Sequence, residues 1–198
     1  SKEFFLLVSK AAFVNPFSLQ RAELDRKISG RPAGVPWREI VPEAVREVAS
    51  RIKELDANGP VKIQDFNPAD RDIIEQVFLF DVFHKFVKHF DKLIAEQINA
   101  GAESISVPFA KEALLLLTKR GFSQPLASRY FSLFYQIRRA FYFIHRGLIG
   151  KCESMRQLRM NLWNNIFTHD IRYYEQYLWD KMEDFSTLLL GATGSGKG

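Results

Sequence analysis

Cysteine is almost absent from this sequence, and so are long apolar runs. Cys152 is the single cysteine among 198 residues, which excludes an internal disulfide and a cysteine-based metal site. No apolar stretch approaches the ~20 residues that a membrane-spanning helix needs, and the early FFLLV run lacks the cleavage pattern of a secretory signal. We therefore expect a cytoplasmic protein that makes no membrane contact.

The sequence also lacks a strong excess of one charge sign and lacks histidine pairs with metal-binding spacing. The chain has 28 basic and 23 acidic residues, a mixed surface that lacks the basic stripe of a nucleic-acid-binding domain. Neighbouring carboxylates such as Asp70 and Asp72 are typical of a helix start. No two of the four histidines have the one-turn spacing of a metal-binding helix: His84, His89, His145 and His169. We assign no catalytic residue and no metal ligand.

Phenylalanine, in contrast, is abundant, with 18 residues in the chain. Such side chains fill helical interiors, and they also line apolar cavities. Apolar residues recur at three-four spacing as far as about residue 146, which predicts helices, whereas alternating strand patterns are scarce. The stretches Val61–Ile63 and Ser104–Val107 are either short strand edges or extended linkers. We predict an all-α domain over residues 1–146.

Capping and breaking residues divide this region into helices. In the best-defined one, Asn67 is the expected N-cap, Pro68 the first helical residue and Gly101 the stop signal. This helix would be about 50 Å long at 1.5 Å per residue. The other predicted helices are bounded by similar signals, and their approximate ranges are Phe4–Phe13, Ser18–Ile28, Pro42–Leu55, Ser106–Leu117 and Ser123–Ile144.

Two local patterns have functional alternatives. The helices that meet at Gly121 resemble a helix-turn-helix pair, but the second helix is aromatic on most faces, which disfavours contact with DNA bases. Cys152 lies beside Lys151, a setting in which a thiol pKa is lowered and oxidants are sensed. A lone cysteine is more often chemically passive, so neither pattern is chosen as the function.

The sequence ends in a glycine-rich segment. Residues 185–198 read FSTLLLGATGSGKG, an apolar run followed by the pattern G-x-x-x-x-G-K. In that pattern the backbone N–H groups surround a phosphate and the lysine reaches its terminal oxygens, between a buried strand and a helix. We predict that the nucleotide-binding residues are Gly191, Thr193, Gly194, Ser195, Gly196 and Lys197. The alternative is a flexible glycine-rich tail.

Residues 1–198 do not contain the parts that complete such a site. The residue after Lys197 is Gly198, whereas a serine or threonine normally holds magnesium there. The helix that follows the loop, and the acids that hold magnesium, would lie further along the chain. We therefore expect residues 1–198 to bind ATP weakly and to catalyse nothing, with ATP a cofactor of a longer parent protein.

The segment after Gly147 resembles a known family. Leu148, Ile149, Gly150, Ser154, Met155 and Leu158 form the pattern LIG-x-x-x-S-M-x-x-L. This is similar to the segment "IG-x-S-x-x-M-x-x-L" that leads into the AAA+ ATPase domain of sigma-54-dependent transcriptional activators, whose phosphate loop has the form GETGTGKE. Matching loop positions are Thr193, Gly194, Gly196 and Lys197. That family's loop also lacks a serine or threonine after the lysine.

The resemblance implies an organisation and a function. Residues 1–146 would be a helical regulatory domain, and residues 147–198 a linker and the first strand and phosphate loop of the α/β ATPase domain. The regulatory domain would control assembly or activity of the ATPase ring through protein contacts or a bound signal. Implied partners are its own ATPase domain and neighbouring subunits of a homo-oligomer. Contacts with sigma-54 polymerase and enhancer DNA would belong to regions beyond Gly198.

Several positions depart from the family pattern. Ala192 and Gly198 replace acidic residues, and Ser195 replaces a threonine. The stretch between the two motifs is longer by about three helical turns. The additional residues predict an aromatic helix over Thr168–Met182 that packs against the regulatory domain or a neighbouring subunit and transmits its state.

Two other functions remain open. The helical region is alternatively an accessory domain of an unrelated P-loop NTPase enzyme, whose continuation would lack the polymerase-contacting GAFTGA loop of the activators. It is also interpretable as a helical bundle that binds a small molecule.

Overall fold

The structure, a computed structural model, describes residues 2–168 and 171–180. Eight α-helices lie within these residues, and no strand does. The all-α expectation is confirmed, and Val61–Ile63 and Ser104–Val107 are linkers, the first leading into a 3-10 turn at Ile63–Asp65. The helices are α1 Lys2–Ala12, α2 Leu19–Ser29, α3 Trp37–Leu55, α4 Pro68–Ala100, α5 Ala110–Lys119, α6 Gln124–Gly147, α7 Glu153–Phe167 and α8 Ile171–Tyr177.

Local capping explains most of these boundaries. The Ser18 hydroxyl accepts a hydrogen bond from the Arg21 N–H at 3.0 Å and begins α2. Gly30 ends this helix at φ 66°, in the left-handed region that glycine adopts without strain. The Asn67 side chain accepts from the Asp70 N–H at 3.1 Å, and α4 runs from Pro68 to Ala100 as predicted.

Two predicted starts are wrong by several residues. Helix α3 begins at Trp37, so Pro42 lies inside it and not at its start. Pro42 has no N–H, so one backbone hydrogen bond near the start of the helix is not made. The helix tolerates this loss. Helix α5 begins at Ala110, after Pro108, and the Ala110 N–H donates to the Val107 carbonyl at 3.1 Å.

Helix α4 is the centre of the fold. It packs against α1, α3, α5 and α6, while α2 packs against α1 and α3. The three-four spacing of its apolar residues buries one broad stripe, in which Val77, Phe78 and Phe90 are fully buried. Around Phe90 lie the rings of Phe109 and Phe131, at centroid distances of 5.1 and 5.5 Å. The long helices α4 and α6 therefore form the framework on which the shorter helices pack.

Buried side chains continue past Gly147 into α7 and α8. Trp163, Phe167, Ile171 and Tyr174 are all buried and join the same apolar cluster as the α4 and α6 residues. Phe167 and Tyr174 pack edge to face at 5.0 Å. The division into residues 1–146 and 147–198 stays a prediction.

Candidate functional site

The predicted nucleotide-binding residues lie outside the described part of the chain. This applies to Gly191, Thr193, Gly194, Ser195, Gly196 and Lys197, and to the apolar run before them. Their role stays a prediction. The candidate site described below is therefore a different one, an internal cavity of the helical bundle.

A cavity of about 500 Å³ lies between α4 and α6. Its walls are completed by the end of α1, by α2, by the start of α3, and by single residues of α7 and α8. This volume falls in the range of small-molecule pockets, roughly 300–1,000 Å³. Its aromatic lining and its position between the two long helices make the cavity the strongest candidate for a ligand site.

Aromatic and aliphatic side chains form most of the wall. From α4, Phe80 and Phe83 face the cavity, and from α6, Leu133 and Phe134 do so. The Phe83 and Phe134 rings lie 5.4 Å apart. The helical repeat places residues three and four apart on one face, so the Phe-rich pattern of both helices generates one continuous apolar surface.

A buried ion pair from α2 reaches this apolar surface. The Arg21 Nε donates to the Asp25 carboxylate at 2.8 Å, and Asp25 is only 1% exposed. Arg21 also donates to the Ala11 carbonyl at 3.1 Å and lies 5.7 Å from the Phe80 ring centroid. Burial raises the pKa of Asp25 above its usual value, and the charge of Arg21 opposes that shift.

His84 of α4 is a polar residue of the wall. It lies against Phe80, with ring centroids 4.3 Å apart, and against Phe83 at 5.1 Å. Burial lowers its pKa to about 3, and the charges of Arg21 and Arg138 act in the same direction. His84 is therefore neutral at pH 7. His84 is half-buried and lines the cavity, and it has no hydrogen-bond partner among residues 2–168 and 171–180.

The cavity reaches the surface between the start of α3 and the end of α6. Trp37 and Arg38 of α3 face His145 and Arg146 of α6 there, and all four side chains are exposed. The rings of Trp37 and His145 lie 6.5 Å apart. We call these four residues the rim. Its aromatic and basic character differs from the apolar interior.

Below the rim, Arg138 joins α6 to α4. Its guanidinium donates two hydrogen bonds of 2.7 Å to the Asp91 carboxylate and lies 4.9 Å from the Phe141 ring centroid. Such a bidentate pair is held in one geometry. It fixes the spacing of the two main cavity walls.

Helix α8 contributes to the cavity and packs on α6. Ile171, its first residue, lines the cavity. Arg129 of α6 forms an ion pair with Glu175 at 3.0 Å. The Gln136 amide donates to the Trp179 carbonyl at 2.8 Å and accepts from the Tyr174 hydroxyl at 3.2 Å. The predicted aromatic helix thus packs on α6.

The four aromatic residues predicted to make this contact behave differently. Tyr174 is fully buried and Trp179 is half-buried under Arg129, whose guanidinium lies 5.5 Å from the Trp179 ring. Tyr173 and Tyr177 are exposed and contact each other at 5.2 Å. Thr168 lies before the helix, and the segment from residue 181 to Met182 is outside the described ranges.

Sequence reasoning did not identify the polar cavity residues. The sequence patterns assign no metal-binding or catalytic role to His84, and they assign no role to Arg21 or Asp25. A signal was present, because Arg21 and Asp25 have the i, i+4 spacing of a helical ion pair and His84 lies inside a Phe-rich helix. The abundance of phenylalanine did indicate a possible aromatic-lined cavity.

No protein-family profile, curated protein or solved structure matches the chain. In the ranges that the structure describes, no helix combines the length and apolar character needed to cross a bilayer. Within the same ranges, no group of three or more His, Cys, Asp or Glu side chains is arranged to hold a metal ion.

Proposed function

We propose that the helical bundle is the regulatory domain of a sigma-54-type transcriptional activator, and that it senses a small molecule in the cavity between α4 and α6. The observation that carries the sensing role is the cavity itself, about 500 Å³ in volume with mostly apolar walls. Pockets for small molecules combine such walls with a few polar groups that orient the ligand. His84 and the rim residues are the polar groups here.

The interior favours a ligand with an apolar, ring-bearing body. Phe80, Phe83 and Phe134 offer faces and edges against which a flat ring packs. Neutral His84 offers one N–H donor and one acceptor nitrogen, because its pKa is about 3. A ligand hydroxyl or carbonyl that bonds to His84 would gain orientation from an uncharged partner.

Helix α8 is the element that would transmit ligand binding. Ile171 contacts the cavity, and the rest of α8 is held to α6 through Arg129 and Gln136. A ligand would therefore act on α8 in two ways, directly through Ile171 and indirectly through movement of α6. Because α8 precedes residues 181–198 in the chain, a change in its packing would alter the position of the ATPase domain that the phosphate-loop pattern predicts.

The sigma-54 part of the proposal is supported by sequence patterns. They are the LIG-x-x-x-S-M-x-x-L segment from Leu148 to Leu158 and the glycine-rich loop from Gly191 to Lys197. In such a protein this domain would be non-catalytic and would act on its own ATPase domain and on neighbouring subunits of a homo-oligomer. ATP, sigma-54 polymerase and enhancer DNA would engage the longer parent.

A ligand screen tests the sensing role. Thermal-shift measurements with ring-bearing small molecules should find compounds that raise the melting temperature by several degrees, since a ligand at 100 times its Kd adds about 2.7 kcal/mol. Val87→Phe, which narrows the cavity, should abolish the shift. Val45→Phe is the matched control, because Val45 is partly buried on α3 but does not line the cavity. An equal loss of the shift in both variants would contradict the site.

The ATPase assignment has a separate test. The continuation of the coding sequence past Gly198 should encode a GAFTGA loop, which the activator family requires and an unrelated P-loop enzyme lacks. Residues 1–198 should show no ATP turnover in a coupled assay. Tight ATP binding with turnover by these residues alone would refute the proposed division between regulatory and catalytic parts.

A further inference from the structure

We infer that the ligand of this cavity is an amphiphilic organic anion, with an apolar ring system inside and one carboxylate or similar monoanionic group at the rim. This inference rests on the proposed sensing role and adds the chemical class of the ligand. It follows from the distribution of charge around the cavity.

Basic residues outnumber acidic ones along the cavity. Four arginines line it, whereas only the two aspartates Asp25 and Asp91 do so. Arg21 is paired with Asp25 and Arg138 with Asp91, so each aspartate is neutralised. In the described part of the chain, residues 2–168 and 171–180, no carboxylate pairs with Arg38 or Arg146.

These two guanidiniums lie at the rim. Within residues 2–168 and 171–180, Arg38 has no ion-pair partner. The Arg146 Nη1 donates to the Tyr142 hydroxyl at 2.6 Å, and its carbon lies 4.1 Å from the Tyr142 ring centroid. That stacking holds Arg146 in place and leaves its other N–H groups for an anion.

Several arginine charges act on His145, the histidine of the rim. Burial lowers the pKa of His145, and the charges of Arg159, Arg138, Arg38 and Arg146 lower it further. The positive charges around His145 attract an anion to the rim. Arginine is also the side chain best suited to bind a carboxylate.

The cavity interior around His84 disfavours a negatively charged ligand group. His84 is neutral there and is surrounded by Phe80 and Phe83. An ionised carboxylate placed against these rings would lose its hydration, and the nearby charges of Arg21 and Arg138 are already paired with Asp25 and Asp91. The geometry therefore orients the ligand with its apolar body inward and its charge at the rim.

Two fluorescent probes with one skeleton test this inference. They are 8-anilinonaphthalene-1-sulfonate and the neutral N-phenyl-1-naphthylamine, which lacks the sulfonate. The wild-type chain should bind the sulfonate more tightly. Arg38→Met and Arg146→Met should each weaken sulfonate binding about two- to fivefold, the effect of losing one solvent-exposed ion pair, and leave binding of the neutral probe unchanged.

A matched control and the Val87→Phe variant separate the possible outcomes. Arg46→Met removes an exposed arginine elsewhere on α3 and should change neither Kd. If Val87→Phe blocks both probes but the rim variants weaken both equally or neither, the sensing cavity stands and its anion preference is wrong. If Val87→Phe blocks neither probe, or if neither probe binds the wild type, both the cavity site and the inference are overturned.

Discussion

The guanidinium of Arg120 donates two parallel hydrogen bonds, each 2.7 Å long, to the carboxylate of Asp56, which lies 64 residues earlier in the chain. The same guanidinium lies 4.5 Å from the Phe78 ring centroid of α4 and donates to the Val61 carbonyl at 3.1 Å. Three separate segments are thus joined at the end of α5. The hydrogen bonds from Arg120 hold the pKa of Asp56 below its usual value.

Asp56→Asn should lower the free energy of unfolding by about 1–2 kcal/mol at pH 7, because it removes a charge-assisted pair that is largely shielded from water. A carboxyl with a lowered pKa stabilises the fold above its unfolded pKa, near 3.8, and this contribution is lost as the pH falls through the folded-state pKa. Urea unfolding at pH 7 and pH 3 measures the change.

The control for that experiment is Glu47→Gln. Glu47 pairs with Arg51 at 2.8 Å on α3, but both side chains are well exposed. Exposed pairs contribute between about 0 and 1 kcal/mol, so this variant should remain close to wild type at both pH values. An Asp56→Asn variant as stable as Glu47→Gln at pH 7 would contradict the structural role of the Arg120 pair.

His84 should make the fold less stable in mild acid. Its folded-state pKa is about 3, below the ordinary 6.5, so the unfolded chain takes up the proton first as the pH falls below 6.5. Stability is therefore lost between pH 6.5 and pH 3, by about 1–2 kcal/mol at pH 5 relative to pH 7.5. His84→Gln should flatten this part of the stability profile in urea titrations at several pH values.

The difference between the wild-type and His84→Gln stability profiles isolates the contribution of His84, because the two proteins share all other titrating groups. Asp25 acts in the opposite direction: its raised pKa makes stability decline as the pH rises above about 3.8. Both chains contain Asp25, so its effect cancels in the difference. Parallel profiles for the two proteins would show that His84 is not held neutral in the fold.

Phe90→Ala should be strongly destabilising. Phe90 is fully buried between Phe109 and Phe131, and removing a buried phenylalanine ring costs about 3–5 kcal/mol through lost burial and the cavity left behind. Phe143→Ala is the control, since Phe143 is 47% exposed on α6, and it should cost about 0.5 kcal/mol or less. Thermal unfolding of both variants measures the contrast.

Arg129→Met should loosen α8 without unfolding the rest. The substitution removes the ion pair with Glu175 and the stacking over Trp179. Amide hydrogen exchange at residues 171–177 should become about tenfold faster, since local opening free energies track local contacts, while exchange in α2 stays unchanged. Arg156→Met, which removes a surface pair with Glu153, is the control. Equal exchange in both variants would contradict the role of Arg129.

Local sequence signals were sufficient for much of the fold. Ser18, Asn67 and Gly101 marked helix ends correctly because a cap depends on residues within one turn. The predicted start of α3 at Pro42 was wrong, because proline is common at a helix start but is also tolerated a few residues inside the helix. The five residues before Pro42 are already helical, so α3 begins at Trp37.

The candidate site was less accessible from the sequence. The phosphate-loop pattern is contiguous and is visible in any sequence that contains it, but the structure describes none of its residues. The cavity, in contrast, is lined by residues from seven helices, all of the described ones except α5. No short-range rule connects Trp37 with His145, or Phe83 with Phe134, because their proximity results from how whole helices pack.

The sequence by itself determined the all-α character, the central position of the Phe-rich α4 and most helix ends, since periodicity and capping act over a few residues. Tertiary structure alone decided that Arg120 meets Asp56, that His84 is neutral inside a cavity, and that Arg38 and Arg146 share its rim. These properties depend on burial and on charges brought together across the chain, which no local pattern encodes.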